Sequence, residues 1–471
     1  MKKYLSAFLL TFMAVSSYGQ RYLGIATGDN SAIYSLPLNP ASISGCSEKV
    51  VVNLFSFNVG VDNNLGTLAN LSNVGSSNAF NVSGDKPFNM LAPTVDLRFP
   101  GLLVSLNDKF KQSFAFTTKV RIMNQLNHFD PRLFSSATSG SQTSSPEYIY
   151  KSDNFNWTAH IWSEVGFSYA LQVYENGPHK IGAGVTLKYL GGISYLSLKG
   201  TNVDVSYHSG SDTFLASHSD LQFASNAINS NNAITNGLQS SEVLGSLFAS
   251  KAGSGLGMDI GVTYTYSEDG VDNFDDKDPT QDGHRIRASL SVTDIGAIKY
   301  NSANNFVVDV RGNGFLTGKG LQENIGNWSS FKNYMVGQGF SADTGSRATK
   351  VYMPTSFIAG VDYQAYQRLF VNATFIANLA NRQQYGNSYY SQFTLTPRYD
   401  SKRISVGMPI SYSMLANDIK LGFGFRFTGF FFGSDDMMAL FSSNQHGFGF
   451  YMGGYVPIYK KKVKAHFGGK E

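Results

Sequence analysis

The 471-residue chain carries 15% charged residues, well below the ~25% of soluble domains, which argues against a string of ordinary soluble units. Mean hydropathy is −0.15 and no apolar run reaches the ~20 residues of a spanning helix, which excludes a helical membrane protein. A net charge of +4 is too small to point to nucleic acid, and one cysteine, Cys46, excludes an intramolecular disulfide framework. A chain with 14% aromatics and 48 Gly but no long apolar run fits a β-barrel membrane protein.

Residues 1–19 read as a secretory signal peptide: Lys2 and Lys3, an apolar run from Leu5 to Val15, then small residues before a cut between Gly19 and Gln20. Export, cleavage and an outer-membrane location are the expectation. An N-terminal segment, 20–47, follows. Pro37 and Pro40 turn Leu36 and Asn39 away from helix, while Ile33, Tyr34, Leu36 and Leu38 supply apolar surface. Two readings stay open. The segment forms a plug in which Ile33, Tyr34, Leu36, Leu38, Asn39 and Pro40 line a ligand path, or it packs the turn into the first strand.

From 48 to 459 the dominant signal is period two. Phe114, Phe116, Val120 and Ile122 alternate with Thr117, Lys119 and Arg121. Val165, Phe167, Tyr169, Leu171 and Val173 alternate with Gly166, Ser168, Ala170 and Gln172. Short turns at 107–109, 175–179 and 399–402 mark one rim, and long Asn/Ser-rich connections at 127–155 and 208–250 the other. That asymmetry predicts an all-β fold: a transmembrane antiparallel β-barrel of about 14 strands, with long extracellular loops and short turns opposite. Trp157, Trp162, Tyr148, Tyr150 and Tyr169 are expected near an aromatic girdle.

The stretch 252–266, "AGSGLGMDIGVTYTY", has glycines at 253, 255 and 257. Met258 stands where a dinucleotide loop needs its third glycine, and the glycines run into a strand rather than a helix. The reading is a barrel strand with small residues toward a crowded lumen. The acidic stretch 268–283 offers Asp272, Asp275, Asp276 and Asp278 as candidate cation ligands, but without calcium-loop spacing; a solvated turn is the simpler reading. Helical spacing marks 240–251 and 327–335 as short packing helices. Residues 285–292, 403–411 and 419–428 alternate again, and 460–471 reads as a solvated basic tail.

The residues before the first strand carry a resemblance. Asp29, Ser31, Ala32, Ile33, Asn39, Pro40 and Ala41 resemble the N-terminal hatch of FadL-type long-chain fatty-acid transporters, and PorV-type secretion-system barrels are similar there. The stretches 166–192 and 253–264 look like paired strands of the same superfamily, and with "NLFSFNVGVDN" near the start and "GFGFYMGGYVPIYKKK" at 447–462 the chain looks like an uncharacterised group of Bacteroidota outer-membrane proteins. The resemblance implies a 14-stranded barrel with its N-terminal segment in the lumen.

The inward face carries Lys119, Arg121, Lys188, Arg285, Arg287, Arg398, Arg403, Lys420 and Arg426 against mainly Asp96 and Asp259. The lumen is either basic, favouring anionic permeants, or neutralised by acids from loops and plug. His160 and Ser163 fall on opposite faces of a strand, and no nucleophile–base arrangement emerges, so no enzyme and no cofactor is expected. The function expected is passage of small apolar or amphipathic molecules by a FadL-like route, with outer-membrane lipid around the wall. The alternative is a non-transporting scaffold or shuttle for a secretion, motility or surface-assembly system.

Overall fold

The computed structural model describes residues 21–65, 86–106, 109–131, 147–208, 213–226, 252–267, 284–302, 305–324, 328–381, 384–441 and 446–460. The signal peptide, the acidic stretch 268–283, the expected helix at 240–251 and the tail beyond Lys460 lie outside these residues. No described helix is long and apolar enough to cross a membrane; strands do the crossing.

In chain order the strands are β1 (Glu48–Asn63), β2 (Phe88–Arg98), β3 (Gly101–Ser105), β4 (Ser113–Phe129), β5 (Tyr148–Asn176), β6 (His179–His208) and β7 (Thr213–Ser225). Then come β8 (Gly253–Tyr266), β9 (Ile286–Tyr300), β10 (Phe306–Thr317), β11 (Ser341–Ser346), β12 (Thr349–Tyr352), β13 (Ser356–Tyr366) and β14 (Leu369–Asn378). The last are β15 (Gln392–Asp400), β16 (Ile404–Gly407), β17 (Ile410–Ser413), β18 (Asp418–Leu421), β19 (Phe423–Phe427), β20 (Phe430–Ser434) and β21 (Gly447–Tyr459). Every ladder is antiparallel. β1 pairs with β21 from Glu48↔Tyr459 to Asp62↔Gly447, which closes a 14-strand barrel. Four of its staves are broken in two: β2 with β3, β12 with β13, β16 with β17, and β18 with β19.

The burial pattern is inverted relative to a soluble protein. Leu256, Leu187 and Phe167 are 76%, 58% and 52% exposed, whereas Asn58, Ser168, Arg121 and Arg398 are buried. Period-two alternation puts the apolar set outside and the polar set inside, as a wall solvated by lipid requires. Asn53, Ser56, Thr186, Thr394 and Ser411 extend the buried polar face around the barrel.

Two expectations need correction. Parts of 127–155 and 208–250 are strand rather than loop: β4 runs on to Phe129, β5 begins at Tyr148 and β7 covers Thr213–Ser225, and β5 and β6 run for 29 and 30 residues. At about 3.3 Å per residue each is roughly 95 Å long, several times a bilayer's hydrocarbon core. Their upper halves therefore stand clear of the barrel and continue a sheet through β7, β10 and β11. Two helices cap this extension, α2 (Gly318–Asn324) and α3 (Trp328–Gly337), the latter at the expected 327–335. Phe331 and Met335 of α3 pack on Phe223, Val308, Val310 and Phe340. Second, Trp162 joins no girdle: it faces inward, fully buried, stacked on His160 at 4.6 Å. Trp157 is half-buried and its Nε1 donates to Asn124 Oδ1 at 2.7 Å. The side chains of Tyr148 and Tyr150 lie outside the described residues.

Candidate functional site: the lumen and its N-terminal segment

Residues 21–46 pack against the inward faces of the wall. A short helix, α1 (Leu23–Ala26), leads into 3-10 turns at Ala32–Tyr34 and Pro40–Ile43. The second turn is set by local chemistry: Pro40 opens it, and Ala41 N donates to the Asn39 side chain at 2.8 Å. Asn39 Nδ2 in turn donates to Val262 O at 3.0 Å and Leu290 O at 3.1 Å, reaching β8 and β9 together. Tyr455 OH of β21 donates to Asn30 O at 2.7 Å, and Asp29 N donates to Asp400 Oδ2 of β15 at 2.8 Å. The wall is thinned to admit the segment: a Cβ at Gly184 would lie 2.5 Å from Ala41 N and from Pro40 C.

Around this backbone sits an apolar cluster. Tyr22, Leu23, Ile25, Ile33, Tyr34, Leu36, Leu38 and Ile43 meet Leu103, Ile358, Phe431, Tyr451 and Tyr455. Tyr34 packs edge-on to Phe431 at 4.5 Å, and Arg98 lies over the Tyr22 ring at 4.4 Å. All six candidate path residues, Ile33, Tyr34, Leu36, Leu38, Asn39 and Pro40, are buried, and of them Leu38 and Asn39 border one small cavity and Ile33 and Leu36 another. The larger of these two, about 150 Å³, lies beneath the segment and is lined mainly by residues with hydroxyl, amide or charged side chains.

The inward cations are paired. Arg121 Nη1 lies 2.9 Å from Glu164 and 3.0 Å from Asp294, and its Nη2 donates to Tyr389 OH. Lys188 sits 2.6 Å from Asp259 and 2.7 Å from Asp294, and Lys119 lies 3.0 Å from Glu164. Arg398 chelates Asp362, Arg426 reaches Asp400 at 3.1 Å, Arg287 reaches Asp29 at 2.7 Å, and Lys420 reaches Asp62 at 2.6 Å. Among the described residues, these seven candidate cations each meet a carboxylate. Two of the candidate cations lie elsewhere. Arg285 precedes β9 and stacks on the exposed Tyr363 ring at 5.1 Å, and Arg403 is exposed in the turn before β16. Lys460, expected in a solvated tail, donates from Nζ to Ser105 Oγ at 2.8 Å. Asp272, Asp275, Asp276 and Asp278 lie outside the described residues.

Two features were not expected. Residues 384–390, between β14 and β15, fold inward as a strap to the far side of the barrel. Ser388 N donates to Gln125 Oε1 at 2.7 Å, Asn387 Nδ2 to Thr158 O at 2.9 Å, and Tyr390 OH to Asn127 Oδ1. The second feature is a seam. β20 has five residues and stops part-way up the wall. Above it, among the described residues, Asp418–Leu421 pairs as a strand with β17 alone, and Gly447–Phe450 with β1 alone. Residues 435–441 cross the gap on Met437 N to Leu421 O (2.8 Å) and Gly449 N to Asp436 O (2.9 Å). Directly inside the seam, Gly24 N of α1 donates to Asp435 Oδ1 at 3.4 Å.

No curated protein sequence matches the chain. Solved structures similar to it include a TodX monoaromatic hydrocarbon channel mutant, at 12% identity over 94% of this chain and 98% of that one, TM-score 0.43. Others are the Ralstonia pickettii toluene transporter TbuX (11%, 94% and 99%, 0.41) and a Pseudomonas aeruginosa FadL homologue (11%, 94% and 96%, 0.37). A family profile described as "Family of unknown function (DUF5723)" matches residues 40–435, most of the barrel and the end of the segment inside it, and the chain belongs to that family.

Proposed function

We propose that the chain is an outer-membrane barrel that passes small apolar or amphipathic molecules by a FadL-like route, with residues 20–47 as its plug. The long-loop rim faces the exterior and the short-turn rim the periplasm. The observation that carries the reading is the seam between β18 and β21, which opens beside the apolar cluster of the segment. An apolar molecule forced down the lumen would displace water from paired charges without replacing their interactions, an unfavourable path. A side exit beside Tyr22, Phe431 and Tyr451 leads instead from one apolar environment to another. Ile33, Tyr34, Leu36 and Leu38 line that path once the segment shifts.

The scaffold alternative gains nothing from the mouth of the barrel, where the strap turns Tyr389 and Tyr390 inward rather than toward a partner. The test is uptake of a fluorescent long-chain fatty acid by cells carrying the barrel. Uptake should exceed that of empty cells, and Met437→Asp, which adds a third acid to the crossing segment after Asp435 and Asp436, should slow it several-fold with barrel levels unchanged. Uptake no faster than in empty cells, or unaffected by the substitution, would count against the route. Native mass spectrometry revealing a co-purified protein of tens of kilodaltons would favour the scaffold.

A further inference from the structure

His284 is fully buried at the short-turn rim, two residues before β9. Its Nε2 donates to Asp362 Oδ2 of β13 at 2.7 Å, and Arg398 of β15 holds the same carboxylate, Nη2 at 2.6 Å. Nδ1 has two neighbours of opposite character: Arg287 Nη2 of β9 at 3.1 Å and Asp29 Oδ1 of the N-terminal segment at 3.4 Å. One nitrogen cannot serve both. A neutral ring accepts at Nδ1 and takes the Arg287 N–H. A protonated ring carries N–H there, repels the guanidinium and donates to Asp29.

Only the second state ties the segment to the wall through this ring. We propose that His284 is a proton-operated latch, which holds the N-terminal segment against the barrel floor when charged and loosens it when neutral. The groups facing the ring are Asp29 from the segment, Arg287 from β9, Asp362 from β13, the Phe370 ring from β14, and Arg398 from β15. Asp400 of β15 takes the Asp29 backbone N–H and is shared with Arg426 of β19.

Burial and Arg287 push the imidazole down, but the Asp29 charge and hydrogen bonds to Asp29 and Asp362 outweigh them and hold it above its ordinary value. Burial likewise pushes the Asp29 carboxyl up, and His284 and Arg287 outweigh it, so Asp29 stays ionised. A raised imidazole contributes its full stabilisation below about 6.5 and loses it as pH climbs through the folded-state value. The latch therefore holds in acid and opens in alkali. Asp29, Arg287 and Asp362 line the cavity beneath the segment, and Asp29 and Arg287 are partly exposed, which gives protons a way in.

Asp29, His284 and Asp362 could also be read as a metal site, since their ligand atoms lie within 4.8 Å of one another. The geometry argues otherwise. The two carboxylates sit at opposite ring nitrogens, so one ion cannot replace both contacts, and Arg287 and Arg398 already neutralise them. The latch stands whether or not apolar molecules pass, because its readout is the segment's attachment.

The test is hydrogen exchange of the full-length barrel in detergent at pH 6 and pH 9, corrected for intrinsic rates and referenced to β1. Protection of amides in Leu23–Ser44 should fall about tenfold at the higher pH, the size of one charge-assisted hydrogen bond. The step should disappear in His284→Gln and in Asp29→Asn, both of which should stay at the wild-type pH 9 level throughout. Equal protection of the wild-type segment at both pH values overturns the latch, as does a full step surviving in either variant. If His284→Gln fails to fold, the wild-type comparison and Asp29→Asn still decide.

Discussion

Arg121 shows how single residues manage charge in this lumen. It is buried among Glu164, Asp294, Tyr389 and the Trp162 ring, so its removal leaves two carboxylates short of a partner in a poorly hydrated site. Arg121→Ala should cost about 3–5 kcal/mol, the range for breaking a buried pair from one side. Lys111→Ala, whose partner Glu175 is exposed, should cost under about 1 kcal/mol. The shift in the temperature at which the barrel loses its compact gel mobility distinguishes the two. Half of this network was legible in the sequence. Glu164 sits two residues before Gly166 on the same alternating face, so period two points it inward. Asp294 was not legible: it has a φ of 58° and the β8–β9 register shifts beside it, between Met258 and Ile260, so parity counted from Arg287 places it on the wrong face.

Among the elements, the barrel staves were readable and the extension was not, for a physical reason. A stave has lipid on one side and a polar lumen on the other, which writes strict alternation into its sequence. β7 and β10 have no lipid face; their apolar residues meet helix α3 instead, and between Asn/Ser-rich connections they pass for loop. The helix itself was visible at 327–335 because one face of it buries Phe331 and Met335. Among the described residues the extension strands β7, β10 and β11 join the barrel's ladders through β6, itself paired along its length with β5, so the two should fail separately. Phe331 is buried edge-on against Phe223 at 4.5 Å. Phe331→Ala should cost the extension about 3–5 kcal/mol. Limited proteolysis should then cut between Thr317 and Ser341, while the barrel keeps its heat-resistant mobility on gels. Joint loss of both would mean that barrel and extension form one cooperative unit.

For the whole molecule, the decisive arrangement is an apolar segment seated in a polar, internally neutralised tube. The two parts depend on close contact at a few places, and Gly184 is one: any side chain there meets the Pro40–Ala41 backbone. Gly184→Leu should therefore expel the second turn without disturbing the ladders of β6, since the added side chain points into the lumen. What remains beside the strap at 384–390 is a wall lined by Asn, Ser, Thr and paired charges, which water wets readily. In a planar bilayer the wild-type barrel should be almost silent, and the variant should show discrete conductance steps. The ion pairs then set a second, independent expectation. With Arg121, Lys188, Arg398 and Arg426 each held by carboxylates, the field along the axis is weak. The reversal potential in a tenfold KCl gradient should stay near zero. A strongly anion-selective current would mean that the lumenal cations act unpaired, and silence in the variant would mean that the segment is not what closes the tube.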